Sequence, residues 1–164
     1  MKKINFIILL GALSILVACN KKKPGDGDQI VCKETTSKAS TADSIALSEY
    51  IIQNQIEAEY DTNGFYYRII TPGNETKPEQ CGNAIIDYVG KFKNEAIFDS
   101  RNNFNMYIGS AVPGFKKGIT YIGEGGEIEL FIPPSLAYGN DDYNSIPGGS
   151  TLIFKIKVRS VIIE

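Results

Sequence analysis

The sequence predicts one α+β domain preceded by an extra helix, and three observations support this. Alternating apolar and polar residues recur in five or six short segments, the pattern of half-buried antiparallel strands. One short helical segment, opened by Pro113, interrupts them before the last two strands. An apolar stripe at helical spacing precedes them all. Consecutive strands with one inserted helix indicate a sheet that packs against that helix.

The first 18 residues have the features of a secretory signal. Lys2 and Lys3 precede an apolar run over residues 4–18, which is too short and too one-sided for a membrane-spanning helix. The run ends in Leu-Val-Ala before Cys19, which resembles the lipobox of bacterial lipoproteins. We therefore expect residues 1–18 to be a lipoprotein signal peptide and Cys19 to carry the lipid. An ordinary signal peptide followed by a chance cysteine is the alternative.

Residues 19–41 predict a flexible tether after the lipidated cysteine, because they are rich in Lys, Gly and Ser and poor in apolar residues. This tether contains Cys32, and the last cysteine of the chain is Cys81. A signal peptide implies an oxidising compartment, where these two could form a disulfide. Sequence alone does not place their sulfurs within bonding distance, so two free thiols are an equal expectation.

Residues 42–59 predict the N-terminal helix, with Thr41 or Asp43 as its N-cap. The apolar stripe consists of three isoleucines at helical spacing, Ile45, Ile52 and Ile56. Leu47 and Ile51 lie beside it. We expect this stripe to pack on the domain, and a dimerising helix is the alternative.

The domain proper is expected over residues 60–164. Its strands are predicted over residues 65–69, 84–93, 96–99, 103–108 and 127–132, and after Gly149. The strand over 127–132 ends where two prolines cannot continue a ladder. The loop that follows presents an apolar lining with phenolic hydroxyls: Leu136, Ala137, Tyr138, Tyr143 and Ile146. We expect a ligand to lie against that loop.

Composition excludes several classes of function. Removal of residues 1–18 takes away two of the 17 basic residues and none of the 19 acidic ones, so the remaining chain has a net charge of −4. This mildly acidic body argues against nucleic-acid binding. The chain has no histidine, which excludes Ser-His-Asp triads, Cys-His dyads and zinc sites built on imidazole. We predict no metal site and no cofactor.

Six blocks of the sequence carry a family resemblance. In chain order they are residues 86–90, 98–100, 104–109, 112–115, 132–139 and 146–154. They resemble the FKBP-type peptidyl-prolyl isomerases, in family order, over about residues 60–164. The blocks Pro-Pro-Ser-Leu-Ala-Tyr-Gly and Ile-Pro…Thr-Leu-Ile-Phe are specific to that family.

The resemblance implies an FKBP-like half-barrel, a curved antiparallel sheet of five to six strands around one short helix. It assigns catalytic roles to four residues: Asp99, Tyr138, Phe98 and Phe115. It assigns substrate contacts to five more: Tyr88, Phe104, Val112, Ile146 and Phe154. Phe115 would be the pocket floor, where the family commonly has Trp, so the pocket is expected to be deeper and to lack an indole N–H. The backbone N–H of Ile146 would hold a substrate carbonyl.

The resemblance also implies an activity and partners. The expected reaction is rotation about Xaa–Pro bonds in unfolded or partly folded exported proteins, by desolvation and binding of the twisted amide. A non-catalytic chaperone or peptide-binding module is the alternative. A macrolide is the small ligand that the family suggests. The expected location is the bacterial cell envelope, with Cys19 in a membrane and the domain facing the periplasm or the exterior.

Overall fold

The computed structural model describes residues 32–163. The expectations for the signal peptide, for Cys19 and for the first part of the tether fall outside these residues. The main elements in chain order are α1 Thr41–Gln53, β1 Glu59–Tyr60, β2 Tyr66–Thr71, β3 Asn83–Phe92, β4 Ile97–Tyr107, α2 Pro113–Gly118, β5 Glu127–Ile132 and β6 Leu152–Ile162. None of the described helices is long and apolar enough to cross a membrane.

The strands form one six-stranded antiparallel sheet in the order β1-β2-β5-β6-β3-β4. The last strand of the chain, β6, lies in the middle and pairs with both β5 and β3. The predicted α+β domain with an antiparallel sheet of five to six strands is confirmed. The two-residue β1, which no alternation in the sequence indicated, forms one edge.

Alternation along the central strands separates an inner face from an outer face. On β5 the inner side chains are fully buried: Ile128, Leu130 and Ile132. The outer face carries charges that pair across strands, with Arg68 on Glu129 at 2.5 Å and Lys155 on Glu127 at 2.8 Å. The predicted division of this strand between apolar and acidic faces is therefore confirmed.

Helix α2 packs against the inner face because two of its residues lack a side chain. A Cβ on Gly114 would lie 2.6 Å from Cγ2 of Ile132, and one on Gly118 would meet the side chain of Leu130. Both glycines are buried. Proline at the first position, as predicted, loses no helical hydrogen bond there. This close approach brings Phe115, between the two glycines, onto the sheet.

Strand β4 is one continuous strand, whereas the sequence predicted two short ones over 96–99 and 103–108. The interruption is a shift in register between β3 and β4. Asn103 has a φ of 50° there, and its N–H donates to Oδ1 of Asp87 at 2.8 Å. The carboxylate accepts the N–H that the ladder leaves unpaired, so the strand continues through the bulge.

Helix α1 spans Thr41–Gln53, so the prediction over residues 42–59 was too long. Its N-cap is Ser40, whose hydroxyl accepts from the N–H of Asp43, and not Thr41 or Asp43 as predicted. Its last turn closes at Asn54, and the left-handed φ of 53° at Gln55 turns the chain away.

The apolar stripe of α1 was also wrongly predicted. Leu47 and Ile51 are buried and pack with Phe131 and Ile153 on the outer face of the sheet. Ile45 and Ile52 are 56% and 71% exposed. The helix therefore packs on the domain, as expected, but through the residues beside the predicted stripe.

Residues 32–40, within the predicted tether, lie along the domain without regular secondary structure. Cys32 and Cys81 form a disulfide. Of the two alternatives that the sequence left open, a disulfide or two free thiols, the structure therefore has the disulfide. The N–H of Thr35 donates to Oε1 of the buried Gln80 at 2.8 Å, and that of Ala39 donates to the carbonyl of Asn63 at 2.7 Å. This part of the tether is held, not free.

Candidate active site

An aromatic pocket lies between α2, the inner face of the sheet and the loop after β5, and its volume is about 110 Å³. Seven of the nine predicted pocket residues line it: Tyr88, Phe98, Asp99, Val112, Phe115, Tyr138 and Phe154. Met106, Ser110 and Ala111 complete the lining. A larger cavity of about 420 Å³ beside Cys81 contains none of the predicted pocket residues.

Four rings form the pocket by edge-to-face and tilted contacts. The ring of Phe154 meets that of Phe115 at 5.2 Å and that of Phe98 at 5.5 Å, both at 89°. Tyr88 meets Phe115 at 6.3 Å and 84°. Such pairs are favourable because the positive edge of one ring meets the negative face of another. Phe115 is only 2% exposed, so it closes the base of the pocket, the floor position that the resemblance implied.

Gly90 on β3 makes the convergence of these rings sterically feasible. It pairs with Phe154 across β6 and with Asp99 across β4. A Cβ at this position would lie 2.5 Å from Cζ of Phe98 and 3.0 Å from Cε1 of Phe154. The two rings therefore occupy the space that a side chain at position 90 would fill.

A phenol and a carboxylate stand together at one side of the pocket. The hydroxyl of Tyr88 donates to Oδ2 of Asp99 at 2.5 Å. Burial, followed by this hydrogen bond, raises the pKa of Tyr88 to about 12. Oδ1 of Asp99 lies 3.7 Å from Nε of Arg101, an ion pair open to solvent. Asp99 is therefore oriented by its neighbours, with Tyr88 as a neutral donor.

Tyr138 stands at the mouth of the pocket, 38% exposed. Its ring stacks on that of Tyr143 with centroids 4.3 Å apart and an interplanar angle of 8°. Among residues 32–163 its hydroxyl has no hydrogen-bond partner. Burial raises the pKa of Tyr138, and the nearby Tyr143 and Asp99 raise it further. This phenol is a protonated donor directed by a second ring.

The backbone N–H of Ile146, predicted to hold a substrate carbonyl, is already bonded within its own loop. It donates to the carbonyl of Tyr143 at 2.9 Å, and the N–H of Tyr143 donates back to the carbonyl of Ile146 at 2.9 Å. The side chain of Ile146, only 7% exposed, packs into the core and does not line the pocket.

Phe104 was predicted as a pocket wall and lies one layer behind it. Its ring makes an edge-to-face contact with Tyr88 at 6.3 Å, and the guanidinium of Arg101 lies over the ring at 5.7 Å. It therefore supports Tyr88 without lining the pocket.

The lining residues that sequence reasoning missed come from the strand and turn before α2. Met106 lies two residues after Phe104 on β4, so the alternation of that strand placed it on the same face. Ser110 and Ala111 follow the strand in a 3₁₀ turn, and the hydroxyl of Ser110 donates to the carbonyl of Tyr107 at 2.8 Å. Strand alternation could have identified Met106, whereas no pattern in the sequence indicates the turn that brings Ser110 and Ala111 to the pocket.

This arrangement can bind an apolar ring and orient a carbonyl. The walls are aromatic and aliphatic, and the polar groups are two phenols, a carboxylate and one serine hydroxyl. Within the described residues, no group of three or more cysteines and carboxylates is placed to hold a metal ion. The pocket suits a reaction that needs a dry, shaped site and directed dipoles.

The sequence matches that of FKBP-type peptidyl-prolyl cis-trans isomerases over residues 74–159, just over half of the chain. The chain belongs to the FKBP family. All ten lining residues of the pocket fall within the matched region, and all of α1 and residues 32–40 precede it.

FKBP-type isomerases of the FkpA type are among the relatives. FkpA of Buchnera aphidicola is 29% identical over 147 residues, 79% of this chain and 61% of the relative. FkpA of Escherichia coli is 29% identical over 104 residues, 61% of this chain and 38% of the relative. The crystal structure of the E. coli protein superposes with a TM-score of 0.67 at 26% identity, covering 73% of this chain and 59% of that one. The chain thus spans between 38% and 61% of the length of these two curated FKBP relatives.

Proposed function

We propose that this chain is a peptidyl-prolyl cis–trans isomerase that accelerates rotation about Xaa–Pro bonds in exported proteins. The observation that supports this best is the aromatic pocket itself. It holds one oriented carboxylate in an apolar cavity, together with one phenol that is unpaired among residues 32–163, within a chain of the FKBP family. A pocket of this kind is what the reaction requires.

The physical reason lies in the amide bond. Resonance keeps the Xaa–Pro bond planar, with a barrier of ~18–20 kcal/mol. Rotation removes the charge-separated resonance form, so transfer of the amide out of water disfavours the planar state relative to the twisted one. No bond is broken, and therefore neither a nucleophile nor a metal is required. Tighter binding of the twisted amide than of the planar one lowers the barrier, at about 1.4 kcal/mol per tenfold in rate.

The geometry suggests a division of roles in that step. The proline ring enters among Phe98, Phe115 and Phe154, which exclude water. Tyr138 supplies the hydrogen bond to the substrate carbonyl, because the N–H of Ile146 is engaged elsewhere. Tyr88 holds the carboxylate of Asp99 in place. This fixed negative charge interacts with the carbonyl carbon of the twisted amide. Both polar groups then act on the twisted state.

The size of the pocket favours a single ring as its occupant. A volume of about 110 Å³ is well below the ~300–1,000 Å³ typical of sites for drug-sized ligands. We propose that a macrolide would insert only one ring and lie across the mouth with the rest. It would then act as a competitive inhibitor of the isomerase, and inhibition that extra peptide does not relieve would contradict this.

A protease-coupled assay on a Leu-Pro or Phe-Pro peptide tests the activity. We expect the chain to accelerate the slow phase, and Tyr138→Phe and Asp99→Ala each to lower kcat/KM by about tenfold, because each removes a directed polar contact. Tyr60→Phe is the matched control, since that phenol is exposed at the far edge of the sheet.

If the chain does not accelerate isomerisation of the peptide, the proposed isomerase activity is refuted. Suppression of aggregation of an unfolded protein without acceleration would instead support the binding module.

We further propose that Cys19 carries the lipid and places the domain outside the cytoplasm of a bacterial cell, in the envelope. Two features support this: the apolar signal ending in Leu-Val-Ala-Cys, and the disulfide between Cys32 and Cys81, which is typical of oxidising compartments. Cys19→Ala should release the protein from the membrane fraction. Retention of the variant in that fraction would contradict the anchor.

A further inference from the structure

The segment before α1 connects the two sides of the pocket, although it lies outside the region that matches the family. We call residues 32–40 the strap. At its start, the disulfide fixes Cys32, and Nζ of Lys116 on α2 donates to the carbonyl of Lys33 at 3.3 Å. Lys116 directly follows the pocket floor, Phe115. The strap therefore begins in contact with α2, the helix that carries the pocket floor.

The middle of the strap is held by the turn before β2. Nδ2 of Asn63 donates to the carbonyl of Ser37, and the N–H of Ala39 donates to the carbonyl of Asn63, both at 2.7 Å. A Cβ on Gly64 would lie 2.5 Å from Cβ of Ala39. The strap and this turn are thus in close contact up to the start of α1.

The end of the strap forms a closed ring of three hydrogen bonds with the loop that carries Tyr138. The N–H of Ser40 donates to Oγ of Ser135 at 2.9 Å. The N–H of Ser135 donates to Oδ2 of Asp43 at 2.9 Å. The N–H of Asp43 donates to Oγ of Ser40 at 3.1 Å. Ser135 is separated from the other two by more than 90 positions along the chain.

Ser135 belongs to the short turn that aims Tyr138. It lies in the 3₁₀ helix Pro134–Leu136, directly before Ala137 and Tyr138. The N–H groups of Ala137 and Gly139 both donate to the carbonyl of Pro134, at 2.9 Å. These bonds are internal to the turn. Leu136, fully buried, anchors the turn from inside, and the ring with Ser40 and Asp43 anchors it from outside.

We propose that Asp43 and Ser40 are positioning residues for Tyr138, acting through Ser135. The proposal rests on the proposed isomerase function. Loss of the outer anchor leaves the turn to sample other orientations, and only the fraction with Tyr138 over the pocket is competent. The apparent kcat/KM falls to that fraction of its original value. The N-terminal segment is then part of the active site's architecture and not only a spacer.

Three single variants of the full chain separate this role from simple stability. Asp43→Ala removes the acceptor for the N–H of Ser135, and we expect kcat/KM to fall by about threefold to tenfold, the loss of one hydrogen bond. Asp43→Asn keeps an acceptor oxygen in place and should stay near the parent value. Glu124→Ala is the matched control, because Glu124 also accepts a distant backbone N–H, that of Val161 at 2.7 Å, away from the pocket. It should lower the melting temperature without lowering kcat/KM.

Hydrogen exchange at Ala137 and Gly139 provides a readout that does not depend on catalysis. Asp43→Ala should speed exchange at these amides, whereas Asp43→Asn and Glu124→Ala should not. If Asp43→Ala speeds exchange but the parent chain shows no isomerase activity, the role of the strap in positioning the turn is supported and the proposed function is refuted. Unchanged exchange in Asp43→Ala, or equal losses of kcat/KM in Asp43→Ala and Glu124→Ala, would overturn the proposal.

Discussion

At the residue scale, the polar groups of the pocket are set by their partners and not by their identity alone. Tyr88 is committed to Asp99, and Tyr138 is directed by Tyr143 with its hydroxyl unpaired among the described residues. Burial raises the pKa of both phenols. Both therefore remain protonated donors throughout the neutral range.

The raised pKa values predict the pH dependence of activity and stability. Because both phenols stay protonated, kcat/KM should not change between about pH 7 and pH 9. The contribution of Tyr88 to the free energy of unfolding should be fully present below about pH 9, before an unfolded tyrosine ionises, and should be lost as pH rises towards the value of about 12 at Tyr88. A pH–rate profile and denaturation at several pH values check this. A fall in kcat/KM between pH 7 and pH 9 would contradict it.

Much of the pocket could be predicted at this scale, because aromatic side chains in specific blocks mark the family. The role of Ile146 could not. The partner of its N–H depends on the reciprocal bonds with Tyr143 that close the loop, and no residue type signals that geometry. Phe104 was misplaced because strand alternation indicates a face and not a depth within it.

At the element scale, alternation predicted β5 and β6, whereas helix boundaries and the packed face of α1 escaped prediction. Three isoleucines and a leucine occupy that helix, at positions spread over nearly half of its circumference. Only contact with Phe131 and Ile153 selects Leu47 and Ile51 from among them. That choice depends on the sheet and not on the helix.

Alanine substitutions in α1 test this choice. Leu47→Ala should lower the free energy of unfolding by about 2–5 kcal/mol, because the side chain is fully buried. Ile52→Ala, at a position 71% exposed, should change it by no more than about 0.5 kcal/mol. Chemical denaturation measures both. A loss at Ile52 as large as that at Leu47, and dependent on protein concentration, would instead support the dimerising helix.

At the scale of the whole molecule, the domain is closed by contacts that sequence patterns do not show. The strap was predicted as free tether because it is polar, yet its polar groups bond to Gln80, Asn63 and Ser135. Hydrogen bonds between residues far apart along the chain leave no local periodicity. The disulfide was foreseen only as one of two alternatives for the same reason.

The disulfide predicts a measurable share of the stability. The bond joins residues 49 positions apart, and a loop of that length restricts the unfolded chain by about 4 kcal/mol in the chain-entropy account. The double variant Cys32→Ser, Cys81→Ser should therefore unfold with a free energy lower by about 2–4 kcal/mol in chemical denaturation. The parent chain in reductant should show the same loss. A double variant as stable as the oxidised parent would contradict a structural role for the bond.

The central claim is that the pocket lowers the barrier to rotation about an Xaa–Pro bond. Exchange spectroscopy by NMR on a Phe-Pro peptide measures that rotation directly, without a coupled protease. The peptide alone interconverts over tens to hundreds of seconds. With a catalytic amount of the chain, cis and trans resonances should exchange within about a second, and Tyr138→Phe should weaken the exchange by about tenfold. Unchanged interconversion at any concentration of the chain would contradict the account.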